Sequence, residues 1–508
     1  MKGNKAEILS CSAALLVTVM LISFSPVAEG VTSPVESLTA QSAPDELTIF
    51  TTYFGPAAPA DDNIVKREIE QRTHTKLTIT WAGTGANEKA NVLLSSGAIP
   101  DLMLISDITN PRFTELVNQG LFWNLTPLIK RYPNLMKFPE DTWINTRING
   151  KTYGIPRVRP TEGGSFPYVR KDWLDKLGLA VPLTMDDVYQ VWKAFAERDP
   201  DGNGKPDTFG MAGHAGIFSM NTLAWVENIY NRAYGEYAMV DGKLISKTLL
   251  PGTRRALLLL NRAYREKLIP PDFAVLTANQ AIGMLQTNKA GMYYGPPESA
   301  WPDVEALRRT VPEADMLPLV SIDGVTFRDP GFFGMYAIPK TVSEAKLHQI
   351  LAFMDYGASE EGSLLGNYGL RNVHFKEADG MKVTTEQAKK DAVSAQTFGQ
   401  IFQSYDKYFR AFRTGMDKAV FLRNKSIIDE RARISIPDYA KGLYSETNEK
   451  RGAAFTKTII DMKIKVIMGR EPISSWDSLV ERLKNDPDFA AIDSELNEAY
   501  LIRTGEQR

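Results

Sequence analysis

Asp199, Asp201, Asn203 and Asp207 place side-chain oxygens at alternate positions in the run Asp-Pro-Asp-Gly-Asn-Gly-Lys-Pro-Asp. Oxygen donors at that spacing around a glycine turn suit a calcium ion. In the twelve-position calcium-loop scheme they take positions 1, 3, 5 and 9, the carbonyl of Lys205 takes position 7, and Gly204 supplies the turn at position 6. Position 12 is Gly210, where a bidentate Glu would normally stand. The loop 199–210 therefore needs a further oxygen, from Thr208 or from a residue distant in sequence, to complete the shell. The expectation is a fixed structural Ca2+ rather than a sensor, with a plain polar turn rich in Asp, Asn and Gly as the alternative.

Catalytic patterns are missing. His74, His214, His348 and His374 have no metal spacing among them, and there is no Gly-x-Ser-x-Gly elbow. Gly150-Lys-Thr152 imitates the end of a phosphate loop, but Asn145 stands where that motif needs Gly, and Gly83-Thr-Gly85 lacks a third glycine. Asp186-Asp187 and Glu360-Glu361 are carboxylate pairs of the kind that helix N-termini carry. No enzyme is expected; a secreted glycosidase built on two distant acids stays open as an alternative, since such a pair has no local signature.

The first thirty residues direct the chain out of the cell. Lys2 and Lys5 precede an apolar run from Ile8 to Phe24, and Ala28-Glu29-Gly30 offers small residues for cleavage, so residues 1–30 read as a secretory signal. An uncleaved N-terminal anchor is the other reading. Cys11 lies near the start of the apolar run rather than at its end, so lipidation through it is not expected, and the mature chain would have no cysteine. With 59 basic against 61 acidic residues and no basic cluster, the chain has no electrostatic footprint for nucleic acid.

After a polar linker at 31–44, the remainder is too long for one compact domain. Leu47 to Tyr53, Leu77 to Trp81 and Asp101 to Ile105 read as strands, with helices at 63–73 and 87–96 between them. This alternation predicts βαβ units and a parallel sheet, with ligands at the loops beyond the strands' carboxyl ends. Farther on, a strand from Tyr168 runs into a helix stopped by Gly178. Thr184 to Asp187 caps the next helix, which leads into the metal loop. Ala290 to Tyr294 and Gly331 to Ile338 read as later strands, Ser343 to Tyr356 as an amphipathic helix, and 384–499 as mostly helical.

Five segments carry a family resemblance in order: Ser96-Gly-Ala-Ile-Pro-Asp-Leu102 with Gln119-Gly-Leu-Phe-Trp-Asn-Leu-Thr126; Asn149-Gly-Lys-Thr-Tyr-Gly-Ile-Pro156; Arg170-Lys-Asp-Trp-Leu-Asp-Lys-Leu-Gly178; the acidic loop behind it; and Gly469-Arg-Glu-Pro-Ile473 running on to Trp476. With these the chain resembles the extracellular solute-binding proteins of ABC importers, in the large oligosaccharide-binding branch that includes alginate-binding proteins. The resemblance implies an α/β, two-lobed periplasmic-binding-protein fold, each lobe a mostly parallel sheet flanked by helices, with a hinge between them. The lobe boundaries expected are 45–155 and a return segment 326–375 for the first, and 156–325 with a helical part 376–508 for the second. It also implies a monomeric receptor at the cell envelope that delivers an oligosaccharide to a membrane permease. A sugar-sensing receptor for a membrane signalling protein would use the same fold. Two features depart from the family pattern: Thr208 replaces the acidic residue that follows the last loop Asp in the alginate-binding relatives, and no cysteine closes the leader.

A pyranose presents an apolar face to aromatic rings and a rim of hydroxyls to planar polar groups. Loop position nominates Tyr53, Asp107 and Phe333 in the first lobe, and Arg157 and Arg159 near the crossover. Trp225, Tyr294 and Trp301 are nominated in the second lobe, with Tyr368 and Arg371 after the Ser343 helix. Core packing explains any one of these aromatics equally well. The two arginines hint at an anionic sugar such as a uronate, and a structural salt bridge is the competing explanation.

Overall fold

Alternating apolar side chains decide the first layer. In the computed structural model, which describes residues 44–378 and 380–505, β1 (Asp45–Thr52), β2 (Thr75–Ala82) and β3 (Leu102–Ile105) run parallel. Between them lie α1 (Ile64–Thr73) and α2 (Ala86–Ser96). Leu102 and Leu104 enter the core that holds Val65 and Ile69 of α1, whereas Met103 and Ile105 enter the one that holds Ala90 and Leu94 of α2. A period of two thus puts one helix on each face of the sheet. Each Leu or Ile buried in this way contributes about 1.5–3 kcal/mol. Asn63 starts α1 by accepting the Val65 N–H at 2.9 Å, and Gly97, at φ +75°, ends α2.

Across this sheet the order is β2, β1, β3, the strand Phe332–Ala337, then β4 (Gly154–Val158). The returning strand Phe332–Ala337 is antiparallel to both of its neighbours. A second sheet centres on β5 (Phe166–Arg170), which is buried throughout and flanked by the strands Met292–Gly295 and Met316–Pro318. Both of these pairings are antiparallel. The α/β class therefore holds, but the expectation of a mostly parallel sheet in each lobe fails for the second. The βα alternation that predicts parallel pairing is confined to the first third of the chain. The strands of the second sheet are separated by long helical excursions that leave their direction unspecified.

Helix Lys171–Leu177 follows β5 directly and stops at Gly178, φ +65°, and helix Met185–Glu197 opens with a complete capping box between Thr184 and Asp187. Trp173, Trp192, Phe195 and Trp225 form the second core together with Ile459, Ile460 and Trp476 of the helices Glu446–Ile467 and Ile473–Lys484. Not all of 376–508 joins that core: Val393, Phe398, Ile401 and Phe402 pack into the first. The expected leader 1–30 with Cys11, and the linker as far as Ala43, lie outside the described residues. Among the described residues no helix is long and apolar enough to cross a membrane.

Following the buried residues, the chain passes between the cores three times, from Val158 to Phe166, from Phe327 to Phe332, and from Phe402 to Phe412. These crossings are bonded to one another. Arg159 N–H donates to the Gly331 carbonyl at 2.8 Å and Asp329 N–H to the Thr161 carbonyl at 2.9 Å. The Arg410 guanidinium pairs with Asp329 at 2.8 Å.

Candidate ligand cleft between the two cores

The carboxyl ends of β1 and β3 define one edge of the first sheet, and because Val158 pairs with Phe332, β4 ends and the returning strand begins at that same edge. Tyr53-Phe54, Ser106-Asp107, Arg157 to Arg159 and Phe332-Phe333 are thereby gathered where the chain leaves for the second core. A register shift between Phe332 and Met335 turns Phe333 outward. It is 46 % exposed, and its ring meets that of Phe54 edge to face at 5.8 Å.

Arg157 is buried beneath these rings. Its guanidinium carbon stands 4.3 Å from the Phe333 centroid and 5.7 Å from that of Phe54, and its Nε donates to the Phe333 carbonyl at 2.8 Å. Burial, with the charge of Arg159 beside it, holds this guanidinium well below its usual range. Arg159 donates to the side chain of Gln403 and to the Val158 carbonyl. Burial and the nearby charge of Arg410 lower its pKa to about 10.

On the facing side, Tyr294 is the penultimate residue of its strand and half-buried, its phenol raised by burial and then by the charge of Asp329. Glu298 is buried, with Oε2 lacking a partner and Arg413 at 3.8 Å, and burial pushes its carboxyl up to about 7. A cavity of 480 Å³ runs between the cores, with Glu298, Phe412 and Arg413 on one wall and Tyr368 and Gln396 on the other. A neighbouring cavity of 390 Å³ is lined by Arg159, Tyr368, Arg371, Gln403 and Phe409. The two cavities share Tyr368, over whose ring Lys382 lies at 5.6 Å. Aromatic faces interleaved with planar polar groups can hold a ring of hydroxyls on its rim and apolar faces.

The structure brings together Arg157 with Phe333, and Arg159 with Tyr368 and Arg371. It separates others. Trp225 is fully buried, crossing Trp192 edge to face at 6.0 Å inside the second core, so it has no face open to a ligand. Its place in the helix Ala224–Asn231, rather than at a strand end, is the reason. Trp301 is 5 % exposed and packs with Tyr168 and Met316. Tyr53 is half-buried with its hydroxyl against Gly83, where a Cβ would stand 3.0 Å away. Asp107 is exposed, but its carboxylate is taken up by the Thr109 N–H at 3.0 Å and hydroxyl at 2.7 Å.

Sequence reasoning missed Phe54, Glu298 and the third crossing. The run Tyr405-Asp-Lys-Tyr-Phe-Arg-Ala-Phe-Arg413 alternates aromatic and charged residues without a helical or strand period. That composition was the available signal.

In the acidic loop, Asp199 accepts the N–H groups of Asn203 at 3.0 Å and Gly204 at 2.9 Å, and Gly204 has φ +77°. Asp199 and Asp201 are neighbouring carboxylates on one turn whose titrations influence each other. Burial and then the neighbouring Asp199 raise Asp201, while the Gly204 N–H lowers Asp199. The Asn203 amide reaches Asp201 at 2.7 Å and Asp207 at 3.0 Å. Among the described residues no three His, Cys, Asp or Glu side chains converge as a ready-made metal site. The donor set nonetheless suits a hard cation: Asp201 Oδ1 is buried without a partner, and carboxylates at alternate positions of one turn repel one another unless positive charge stands among them.

Comparison with known proteins agrees with this geometry. Residues 56–363 match the model of the bacterial extracellular solute-binding protein family. The chain is 30 % identical over 463 residues to Lipoprotein LipO of Bacillus subtilis (strain 168), covering 88 % of this chain and 91 % of that one. It is also 30 % identical over 437 residues to the polygalacturonan/rhamnogalacturonan-binding protein YtcQ of the same organism, with 84 % and 85 % covered. In fold it is similar to the EF-hand mutant of the S. pneumoniae ABC-transporter substrate binding protein FusA in complex with fructo-nystose. That likeness has TM-score 0.64 at 19 % identity and covers 91 % of this chain and 100 % of that one.

Proposed function

The chain belongs to the bacterial extracellular solute-binding proteins, and from that membership we propose that it captures an oligosaccharide between its two lobes and delivers it to the transmembrane subunits of an ABC importer. The observation that carries the reading is the cleft itself, in which aromatic and planar polar side chains from both cores meet at the three crossings. The sugars named for YtcQ and FusA support it. Lobe one consists of 45–158 with 332–402, and lobe two of 166–327 with 412–505. The crossings bend as the hinge, and a sugar that touches both lobes shifts the population toward the closed form that the permease recognises.

Titration calorimetry of the mature chain with neutral and acidic oligosaccharides tests this. Saturable binding of one class, with the sugar recovered intact, is the expected result; cleavage of the sugar would make the protein a glycosidase. A sedimentation coefficient unchanged by concentration is expected for a monomeric receptor.

The loop 199–210 is assigned a structural calcium ion held by Asp199, Asp201, Asn203, Asp207 and the Lys205 carbonyl. The orphaned Asp201 oxygen and the EF-hand of the similar FusA support the assignment. When bound, the ion supplies positive charge among these carboxylates beyond what the Lys289 ammonium gives. Export is assigned to the leader 1–30. Because Cys11 precedes most of the apolar run, the reading is of a chain not lipidated there. LipO is a lipoprotein, so palmitate labelling of the wild type beside Cys11→Ser decides the point.

A further inference from the structure

We propose that Arg157 selects the ligand, its two terminal nitrogens receiving the carboxylate of a uronic acid ring seated against Phe54 and Phe333. This rests on the oligosaccharide reading and narrows its substrate class.

Arg157 is 2 % exposed, and of its three guanidinium nitrogens only Nε has a partner; Nη1 and Nη2 are buried and unbonded. Buried side-chain donors are normally satisfied, because each one left unpaired forfeits the hydrogen bonds it made to water. The rings above and beside it attract a cation but accept no directed hydrogen bond from its edge. Among the described residues no carboxylate lies within ion-pair distance of Arg157 or Arg159. The acids on the crossings are engaged elsewhere, Asp329 with Arg410 at 2.8 Å, Glu162 with the Tyr405 hydroxyl, and Asp406 with the Tyr408 N–H at 2.8 Å. Acids do line the neighbouring cavity, Glu360, Glu377 and Asp406, but none of them is paired with either of these two guanidinium groups.

The cover over the two nitrogens is made in part of Phe54 and Phe333, which are 52 % and 46 % exposed. Large rings left open at a sheet edge mark a surface that meets something apolar. An acidic pyranose answers both features. Its ring lies on a phenyl face while its carboxylate takes the parallel pair of N–H bonds that a guanidinium offers. A neutral hydroxyl matches neither the charge nor the two-pronged geometry.

The test uses the mature chain and calorimetry at low and at moderate salt. Its probes are galacturonic, mannuronic and glucuronic trisaccharides, their methyl esters, and neutral trisaccharides of the same ring size. One acid binds at least about 100-fold more tightly than its ester, a loss set by a bidentate charged pair. In Arg157→Gln the acid and the ester bind alike, and Arg157→Lys restores only part of the preference. The ester arm needs no variant, so it tests the acid preference even if Arg157→Gln fails to fold, and Arg157→Lys then tests whether Arg157 is its source. An ester that binds as tightly as its acid, a preference that survives in Arg157→Gln, or binding of neutral sugars alone overturns the assignment and leaves the receptor reading intact. If no sugar of any class binds, the receptor reading falls and this inference with it.

Discussion

The ammonium of Lys289 stands 2.6 Å from Asp207 Oδ2 and 3.9 Å from Asp201 Oδ2, so a side chain 82 positions away in sequence supplies positive charge inside the acidic loop. Lys289 immediately precedes Ala290, which bridges to Phe209, and the contact ties the loop to the second sheet. A calcium ion entering the loop must either displace this ammonium or bind beside it against its charge. Lys289→Ala is therefore expected to tighten calcium binding by about tenfold at low salt, an effect that shrinks as salt screens it. Calorimetric titration with calcium measures this, and unchanged or weaker affinity in the variant would show that the ammonium does not compete for the site.

The ion also acts on stability. Calcium held only by the folded loop stabilises the wild type by about 2.7 kcal/mol at a hundredfold excess over Kd. Asp201→Ala removes the buried orphan oxygen of the loop, and its melting temperature should no longer respond to calcium or to chelator. A wild type that melts identically with and without chelator would remove the calcium assignment.

Trp225 and Phe333 make opposite predictions from the same residue class. With Trp225 fully buried in the second core, Trp225→Ala should cost about 3–5 kcal/mol in denaturant unfolding. Phe333→Ala removes a half-exposed ring that packs on Arg157 and Phe54, so its unfolding free energy should fall by only about 1–2 kcal/mol while sugar affinity falls. A stable Trp225→Ala that binds poorly would return Trp225 to the ligand site.

What could be read from the sequence follows from where the physics is local. Leu102 to Ile105 are apolar at every position, which reads as a short strand buried on both faces, and the structure sends them alternately into two cores. Thr184 and Asp187 announce a helix start, and Gly178 a helix end, for reasons contained within one turn. The antiparallel direction of the second sheet is set by pairings between residues far apart, such as Tyr168 with Tyr293 and with Pro318, and no local pattern encodes it. The same holds at the site. Arg157 and Arg159 were visible as charges in an apolar stretch. That one lies between two rings while the other reaches Gln403 depends on a crossing that has no period at all.

Glu227 lies buried between two lysines, 2.7 Å from Lys463 and 3.9 Å from Lys247. Lys463 belongs to the helix Glu446–Ile467, the first of the three that end the described chain, and Glu227 to the helix Ala224–Asn231, so the pair pins that last part of the chain to the second core. Glu227→Gln leaves the buried Lys463 ammonium without its counter-charge, while Lys247 keeps Glu236 at 3.3 Å, and should cost about 3–5 kcal/mol. Denaturant unfolding measures it; a loss below about 1 kcal/mol would mean that water or Glu236 compensates.

Glu298 gives the cleft a pH dependence whose sign is fixed by burial. Its carboxyl is raised from the ordinary value to about 7, with the nearby Arg410 and Arg413 only partly opposing the effect. A group that binds its proton more tightly folded than unfolded contributes stability below its unfolded pKa. That contribution is lost as pH rises through the folded value. Wild-type stability relative to Glu298→Gln should thus fall between about pH 4.5 and pH 8, by at most about 3 kcal/mol, since each tenfold gain in proton affinity on folding is worth about 1.4 kcal/mol. Near pH 6 the protonated carboxyl also presents an O–H donor to the 480 Å³ cavity, which an ionised one cannot. Urea unfolding of both proteins at pH 5 and pH 8 measures the difference. A gap that stays constant across that range would show that Glu298 is ionised throughout and that water or the two arginines already satisfy it.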